Sequence, residues 1–444
     1  MTKKNLLLWC LSLGVMQVLC AQVEPHAGQW KPWLVQEVKT FRLNPPPRDE
    51  AKEIAQVIEK QKNLTQTDLT RIEYWQAGAP GYRWINLLKN LWVTNLSNQG
   101  ALSNLLVGVA IYDATLCAWD TKYHHRRSRP YLRDRRVKVY GLKPDYPAYP
   151  CEYAVAAGAA MEIIQHFYPQ MKDSVIRMAH ELMEARITSG LVYPSDVKAG
   201  FTLGQQVAAE AIKRTRHFTT TAVWRGQIPQ GKDLWTGPFA LLPMAGKNKT
   251  MVLDSASQFR PGPPPDFAKD MQELREFKQT FSSRANAYFW ADQEFWTDEY
   301  HLHLFEHNLH LNPPRAARIY AAKAIGEHDG FTACWDAKYA YWGIRPSQYD
   351  TTYRAPLPIP SFPGYPSGHA AISAVAATIL SYFFPANQPY FNSKAASAAE
   401  SRFQAGIHFR TDNEVALVLG RQVGEAIINK LKHDGAESVG PGKQ

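Results

Sequence analysis

Three short stretches in the C-terminal third hold residues able to do chemistry. They are "KYAYWGIRP" (338–346), "PSGH" (366–369) and "SRFQAGIHFRTD" (401–412). Lys338, Arg345 and Arg402 are cations, Ser367 adds a hydroxyl, Gly368 an unobstructed backbone N–H, and His369 and His408 two imidazoles. Two guanidiniums and an ammonium can neutralise a phosphate-like group from several sides. Ser367 and Gly368 open an apolar, Ala-rich run of helical character. A helix start presents free N–H groups and a positive dipole end, which suits a tetrahedral oxyanion. Glycine there lets the backbone approach closely. One histidine can then attack or coordinate the central atom, while the other exchanges a proton with an apical oxygen. Asp412, four residues after His408, is placed to fix that ring's tautomer. Each stretch alone is weak, since Ser-Gly-His also serves as a helix cap. Together, in this order and spacing, they predict an oxyanion site.

The elements that must position these residues read as helices. Apolar residues recur at three- and four-residue steps over 48–62, 100–118, 151–167, 171–188, 197–214, 268–282, 313–326, 367–383 and 413–432. No stretch alternates long enough for a sheet, so the expected class is all-α. At a constant offset of 216 the chain matches itself. Asp113, Trp119, Asp120, Lys122, Arg129 and Pro130 meet Asp329, Trp335, Asp336, Lys338, Arg345 and Pro346. Tyr149-Pro150 meets Tyr365-Pro366, and Arg186, Gly190, Asp196 and Gly204 meet Arg402, Gly406, Asp412 and Gly420. The expectation is two internally duplicated helical bundles, the second carrying the site. In the first, Cys151, Glu152, Tyr153 and Val192 stand where the second has Ser367, Gly368, His369 and His408. The expected domains are a signal peptide (1–21), an extension with a degenerate bundle (22–242), a Pro/Gly-rich linker (243–267) and a catalytic bundle (268–444).

The triple motif resembles that of the superfamily shared by type 2 phosphatidic acid phosphatases, bacterial acid phosphatases and vanadium-dependent haloperoxidases. All three parts are present. The resemblance implies that Lys338, Arg345, Ser367, Gly368 and Arg402 hold phosphate or vanadate oxygens. It implies that His369 is the general acid–base, and that His408 is either the phosphatase nucleophile or the axial nitrogen ligand of vanadium. Trp335 and Phe362 resemble aromatics on the halide side of vanadium chloroperoxidase-like sites. The paired bundles, "GQWKPWLV" (28–35) and "QFRPGPPP" (258–265) also resemble haloperoxidase-like proteins. The reading is therefore an enzyme that oxidises halide with hydrogen peroxide at a histidine-bound vanadate. The alternative is an exported acid phosphatase acting on a phosphomonoester or lipid phosphate through a phosphohistidine, with no vanadate. A further alternative is a non-catalytic oxyanion-binding protein.

The remaining features bound these readings. The net charge of +10 favours anions in general, and the basic run 124–138 reads as a solvated cationic loop rather than a nucleic-acid interface. "MTKKNLLLWCLSLGVMQVLCAQ" reads as an export signal, placing the mature chain in the periplasm or outside the cell. Lipid attachment at Cys20 is the lesser reading. No later stretch reads as long and apolar enough to cross a membrane, and the paired faces leave homo-oligomerisation open. His303, His307 and His310 in "HLHLFEHNLHL" read as one polar helical face more readily than as a metal site. Lys122 and Arg129 are expected in structural ion pairs, and Cys151 beside Glu152 is expected to be inert. Asp113 and Asp329 are expected to orient an arginine or lysine.

Overall fold

Helical periodicity dominates the architecture. In the computed structural model, which describes residues 23–94, 98–291 and 295–437, the β-type pairing is confined to an isolated Leu234–Gly343 bridge. The signal segment and Cys20 lie outside the described residues. The first half contains α1 (Glu50–Lys60), α2 (Gln66–Gln76), α3 (Tyr82–Thr94), α4 (Asn98–His125), α5 (Pro130–Arg133), α6 (Glu152–Phe167), α7 (Lys172–Thr188), α8 (Pro194–Lys213) and α9 (Thr215–Phe218). The second contains α10 (Ala268–Glu276), α11 (Phe281–Phe289), α12 (Phe295–Glu306), α13 (Pro313–Tyr341), α14 (Pro346–Tyr349), α15 (Gly368–Phe383), α16 (Gln388–Gln404) and α17 (Arg410–Leu431).

Local signals set the ends. The Asn312 side chain accepts the Arg315 N–H, and prolines occupy the first positions of α13, where no N–H partner is lost. Trp342, at φ 51°, closes that helix in a left-handed turn. The expected helix over 268–282 is divided. Thr280 caps a new helix by accepting the Ser283 N–H, so α10 and α11 are separate. The helix expected over 313–326 runs on to Tyr341 and carries Trp335 and Lys338.

The equivalences at offset 216 have structural counterparts. Helices α5, α6 and α7 begin and end 216 residues before α14, α15 and α16. The Tyr149–Pro150 and Tyr365–Pro366 peptide bonds are both cis. One apolar core runs through both halves, and α4 packs against α13. A Cβ placed on Gly108 would lie 2.6 Å from the Cβ of Ala324, its own equivalent, so the halves meet at matching positions. The window within Gly100–Arg133 is long and apolar enough to span a membrane, which corrects the expectation that no such stretch exists. It is a core element here, with 89% of the window buried inside the protein.

The stretch 243–267 packs as an arm rather than crossing freely between halves. The buried Asp329 carboxylate accepts the backbone N–H groups of Met251, Val252 and Leu253. Asp113 does the same for Trp33, Leu34 and Val35. Each arm also ends on a bidentate pair, Arg42–Asp120 and Arg260–Asp336. This corrects the role expected for Asp113 and Asp329: they hold arm backbone, not a lysine or arginine.

Candidate active site

The second half brings the three motif stretches together around one cavity of about 330 Å³. Lys338 comes from the last turn of α13, Arg345 from the cap of α14, and Ser367, Gly368 and His369 from the start of α15. Arg402 comes from the last turn of α16, while His408 and Asp412 sit at the entry to α17. Trp335, Phe362, Gly368, His369, Arg402 and His408 line the cavity. Lys338, Arg345 and Ser367 are fully buried beside it.

Backbone carbonyls fix the cations. Lys338 Nζ donates to the carbonyls of Pro363 (2.8 Å), Gly364 (3.0 Å) and Pro366 (2.6 Å). Arg345 donates through Nε and Nη2 to the Phe362 carbonyl and through Nη1 to that of Ile407. Arg402 Nη2 donates to the Ala287 carbonyl, and its Nε to Ser401 Oγ. Carbonyls orient these charges without neutralising them. His408 Nδ1 lies 3.0 Å from Asp412 Oδ2, which also accepts the Phe409 N–H. His408 Nε2 lies 3.1 Å from Arg345 Nη1.

The electrostatics follow from that crowding. Burial, then Arg345, Lys338, His369 and Arg402, hold the His408 imidazole well below its usual range. Burial, then Arg402 and Lys338, push His369 down to about 3, against a backbone hydrogen bond to Trp290. Burial lowers Arg345 and Arg402 to about 10 and lowers Lys338 as well. Burial also raises Asp412, outweighing Arg345 and Lys338. The pocket thus holds more positive charge than Asp412 can balance. It also holds orphaned polar atoms: Ser367 Oγ, His369 Nε2 and Trp335 Nε1 are buried without a protein partner. Such atoms cost about 1–3 kcal/mol each when left unmade. Ser367 occupies the N-cap of α15 yet caps no helix N–H with its side chain. Spare cations, unpaired donors and a helix start fit a tetrahedral oxyanion such as vanadate or phosphate.

One wall is aromatic. Trp335 stacks on Phe331 with ring centroids 4.0 Å apart and leans on Phe362 at 5.2 Å. The Lys338 and Arg345 cations lie 5.1 and 5.2 Å from the Phe362 ring centre. Phe331, Trp290, Trp296, Leu357 and Ile372 extend the wall and were not read from the sequence. Trp296, Phe331 and Ile372 showed only the helical period of α12, α13 and α15, while Trp290 and Leu357 lie outside the helices and carried no such signal. Ile85, Leu88, Ala101 and Gly108 line the same cavity, so the first half supplies part of it.

Residues 324–432 match the sequence profile of the PAP2 superfamily. No curated protein matches the chain in sequence. Solved structures share the fold over nearly their whole length. A bacterial vanadium-dependent iodoperoxidase is 21% identical at a TM-score of 0.63, covering 79% of this chain and 96% of its own. A bacterial vanadium-dependent chloroperoxidase is 14% identical in apo and holo forms, at TM-scores of 0.55 and 0.54. The apo form covers 76% of this chain and 92% of its own, the holo form 84% and 97%.

This pocket has a counterpart in the first half, built on equivalent carbonyls. Lys122 Nζ donates to Pro147 and Ala148, as Lys338 does to Pro363 and Gly364. Arg129 donates to Tyr146 and Leu191, as Arg345 does to Phe362 and Ile407. The Cys151 N–H donates to the Asp196 carbonyl, as that of Ser367 does to Asp412. Glu152, which stands in place of Gly368, occupies the middle. Its carboxylate lies 3.0 Å from Lys122 and 3.3 Å from Arg186. Burial pushes this carboxyl up, but Lys122, Arg129 and Arg186 outweigh it and hold it at about 2. The ion pairing expected of Lys122 is thus with Glu152, while Arg129 reaches it through charge at longer range. Burial and Glu152 raise the Cys151 thiol, which fits an inert cysteine. Within the basic run, Arg127 turns inward to Glu53 and Asp196.

Proposed function

We propose that the protein is a vanadium-dependent haloperoxidase, oxidising halide with hydrogen peroxide. The observation that carries this reading is the two-half fold, shared with a bacterial vanadium-dependent iodoperoxidase along 96% of that chain. Lys338, Arg345, Ser367, Gly368 and Arg402 would hold vanadate oxygens, and His408 would be its nitrogen ligand. Bound vanadate supplies a Lewis acid that activates hydrogen peroxide toward halide.

The chain's own residues do the rest. Asp412 accepts the Nδ1–H of His408, which puts the lone pair on Nε2, where it accepts from Arg345 Nη1 at 3.1 Å until a ligand takes that place. His369, kept neutral by burial and neighbouring cations, is in the form that takes a proton from hydrogen peroxide at Nε2. The same ring then returns the proton as hypohalous acid or water leaves. Trp335, Phe331 and Phe362 keep water from one side of the pocket. The export signal read in the sequence at residues 1–21 supports a periplasmic or extracellular location for this activity.

A phosphatase reading has its own support, because the match over 324–432 is to the PAP2 superfamily as a whole. Two assays on one purified sample separate the two. One measures iodide, bromide and chloride oxidation with peroxide and added vanadate. The other measures phosphate release from an aryl phosphate. Vanadate-dependent halide oxidation is expected. Phosphate release inhibited by vanadate, with no halide oxidation, would replace the first reading with the second. His408→Ala should abolish whichever activity is present, and activity surviving that change would overturn the site.

A further inference from the structure

Away from the pocket, one histidine is buried with both ring nitrogens unpaired. His303, on the last turn of α12, is 3% exposed, and neither Nδ1 nor Nε2 has a hydrogen-bond partner. A buried imidazole in that state is costly unless something completes it. A carboxylate faces each nitrogen. Nδ1 lies 3.2 Å from Glu306 Oε2, and Nε2 lies 3.4 Å from Glu299 Oε2. His307 follows one helical turn after His303, and the donor atoms of His303, Glu306 and His307 lie within 4.8 Å of one another. The Tyr390 hydroxyl donates to Glu299 Oε1 and fixes that carboxylate.

We propose that His303, Glu306 and His307 bind a divalent transition ion of the zinc class, with His303 ligating through Nδ1 and donating Nε2–H to Glu299. Two imidazoles and one carboxylate suit zinc rather than calcium or magnesium, which prefer oxygen. A histidine ligand whose other nitrogen meets a carboxylate is the usual outer arrangement of such sites. Glu306 and His307 are exposed, so their side chains can close to about 2.0–2.2 Å from the ion and leave a position for water. His310 takes no part. It lies in the 3-10 turn Leu309–Leu311, beyond the left-handed Asn308, with Nδ1 on the Leu304 carbonyl. In the sequence the carboxylate stands beside the second histidine, as His-x-x-Glu-His at 303–307.

The test is equilibrium dialysis of the untagged, metal-stripped full chain against zinc, with cobalt absorption as a second readout. One bound equivalent is expected, with cobalt bands characteristic of nitrogen and oxygen ligation. His307→Ala and Glu306→Gln, both at exposed side chains, should weaken binding by about tenfold or more, and Glu299→Gln by about tenfold. No binding against a weak chelator would overturn the proposal. Binding unchanged in His307→Ala would overturn it as well.

Discussion

The two cationic pockets are built alike and finished differently. In the second half, carbonyl-held Lys338 and Arg345 face a cavity with Gly368 at the helix start. In the first, carbonyl-held Lys122 and Arg129 face Glu152 at the same position. A built-in carboxylate supplies in one half the negative charge that, on the proposed function, an oxyanion would supply in the other. The fold therefore does not need an empty cradle. Gly368 keeps the second pocket open although packing does not demand it, since a Cβ there would sit in ordinary contact, 3.4 Å from the Trp335 ring. The first half builds the same helix start from Cys151, Glu152 and Tyr153, so the fold does not require Ser367, Gly368 and His369.

The largest effect should separate His369 from its equivalent, Tyr153. His369→Ala should lower turnover about 10²- to 10⁴-fold while vanadate still binds, because it removes the proton-transferring group alone. Tyr153→Phe removes only a hydroxyl that donates to the Gly78 carbonyl. It should leave turnover within about twofold and cost on the order of 1 kcal/mol of stability. Equal losses in both variants would break the distinction between the halves.

The next effect lies in stability. Glu152→Gln removes the charge that neutralises Lys122 and Arg186, and it should cost about 3 kcal/mol near neutral pH. In the folded protein the Glu152 carboxyl is held at about 2, below the ordinary glutamate value of 4.5. The Glu152 contribution is complete above 4.5 and is lost as pH falls through about 2. The gap between wild type and Glu152→Gln in urea unfolding should close over that window. A gap that stays constant with pH would place the stabilisation elsewhere.

A smaller effect would sharpen the equivalence. Glu152→Gly should turn the first pocket into an anion receptor. Phosphate at about ten times its dissociation constant should then stabilise this variant by about 1.4 kcal/mol more than wild type. The same phosphate response in both proteins would show that Glu152 is not standing in for an anion.

The sequence carried the second pocket almost completely, because its residues fall in three compact stretches whose spacing survives folding. The helical class was legible from apolar periodicity for the same reason. The arms were not. Residues 27–42 and 245–260 share little beyond Ala-Gly at the start and Phe-Arg at the end. What holds them is backbone N–H donated to Asp113 and Asp329, and a backbone donor leaves no mark in residue type. Glu152 was visible as the residue in place of Gly368 and as a neighbour of Cys151, but not as an ion-pair partner. Its meaning needed Lys122 and Arg186, 30 and 34 residues away, placed beside it. The aromatic wall around Trp335 was hidden because core and pocket aromatics share one helical period.

The most direct measurement is vanadate binding by the purified chain and by Gly368→Glu, using calorimetry for stoichiometry. The account predicts one equivalent for wild type, because Glu152 fills the first pocket. It predicts none for Gly368→Glu, folded but with both pockets carrying their own carboxylate. Two equivalents in wild type, or binding retained in Gly368→Glu, would contradict it.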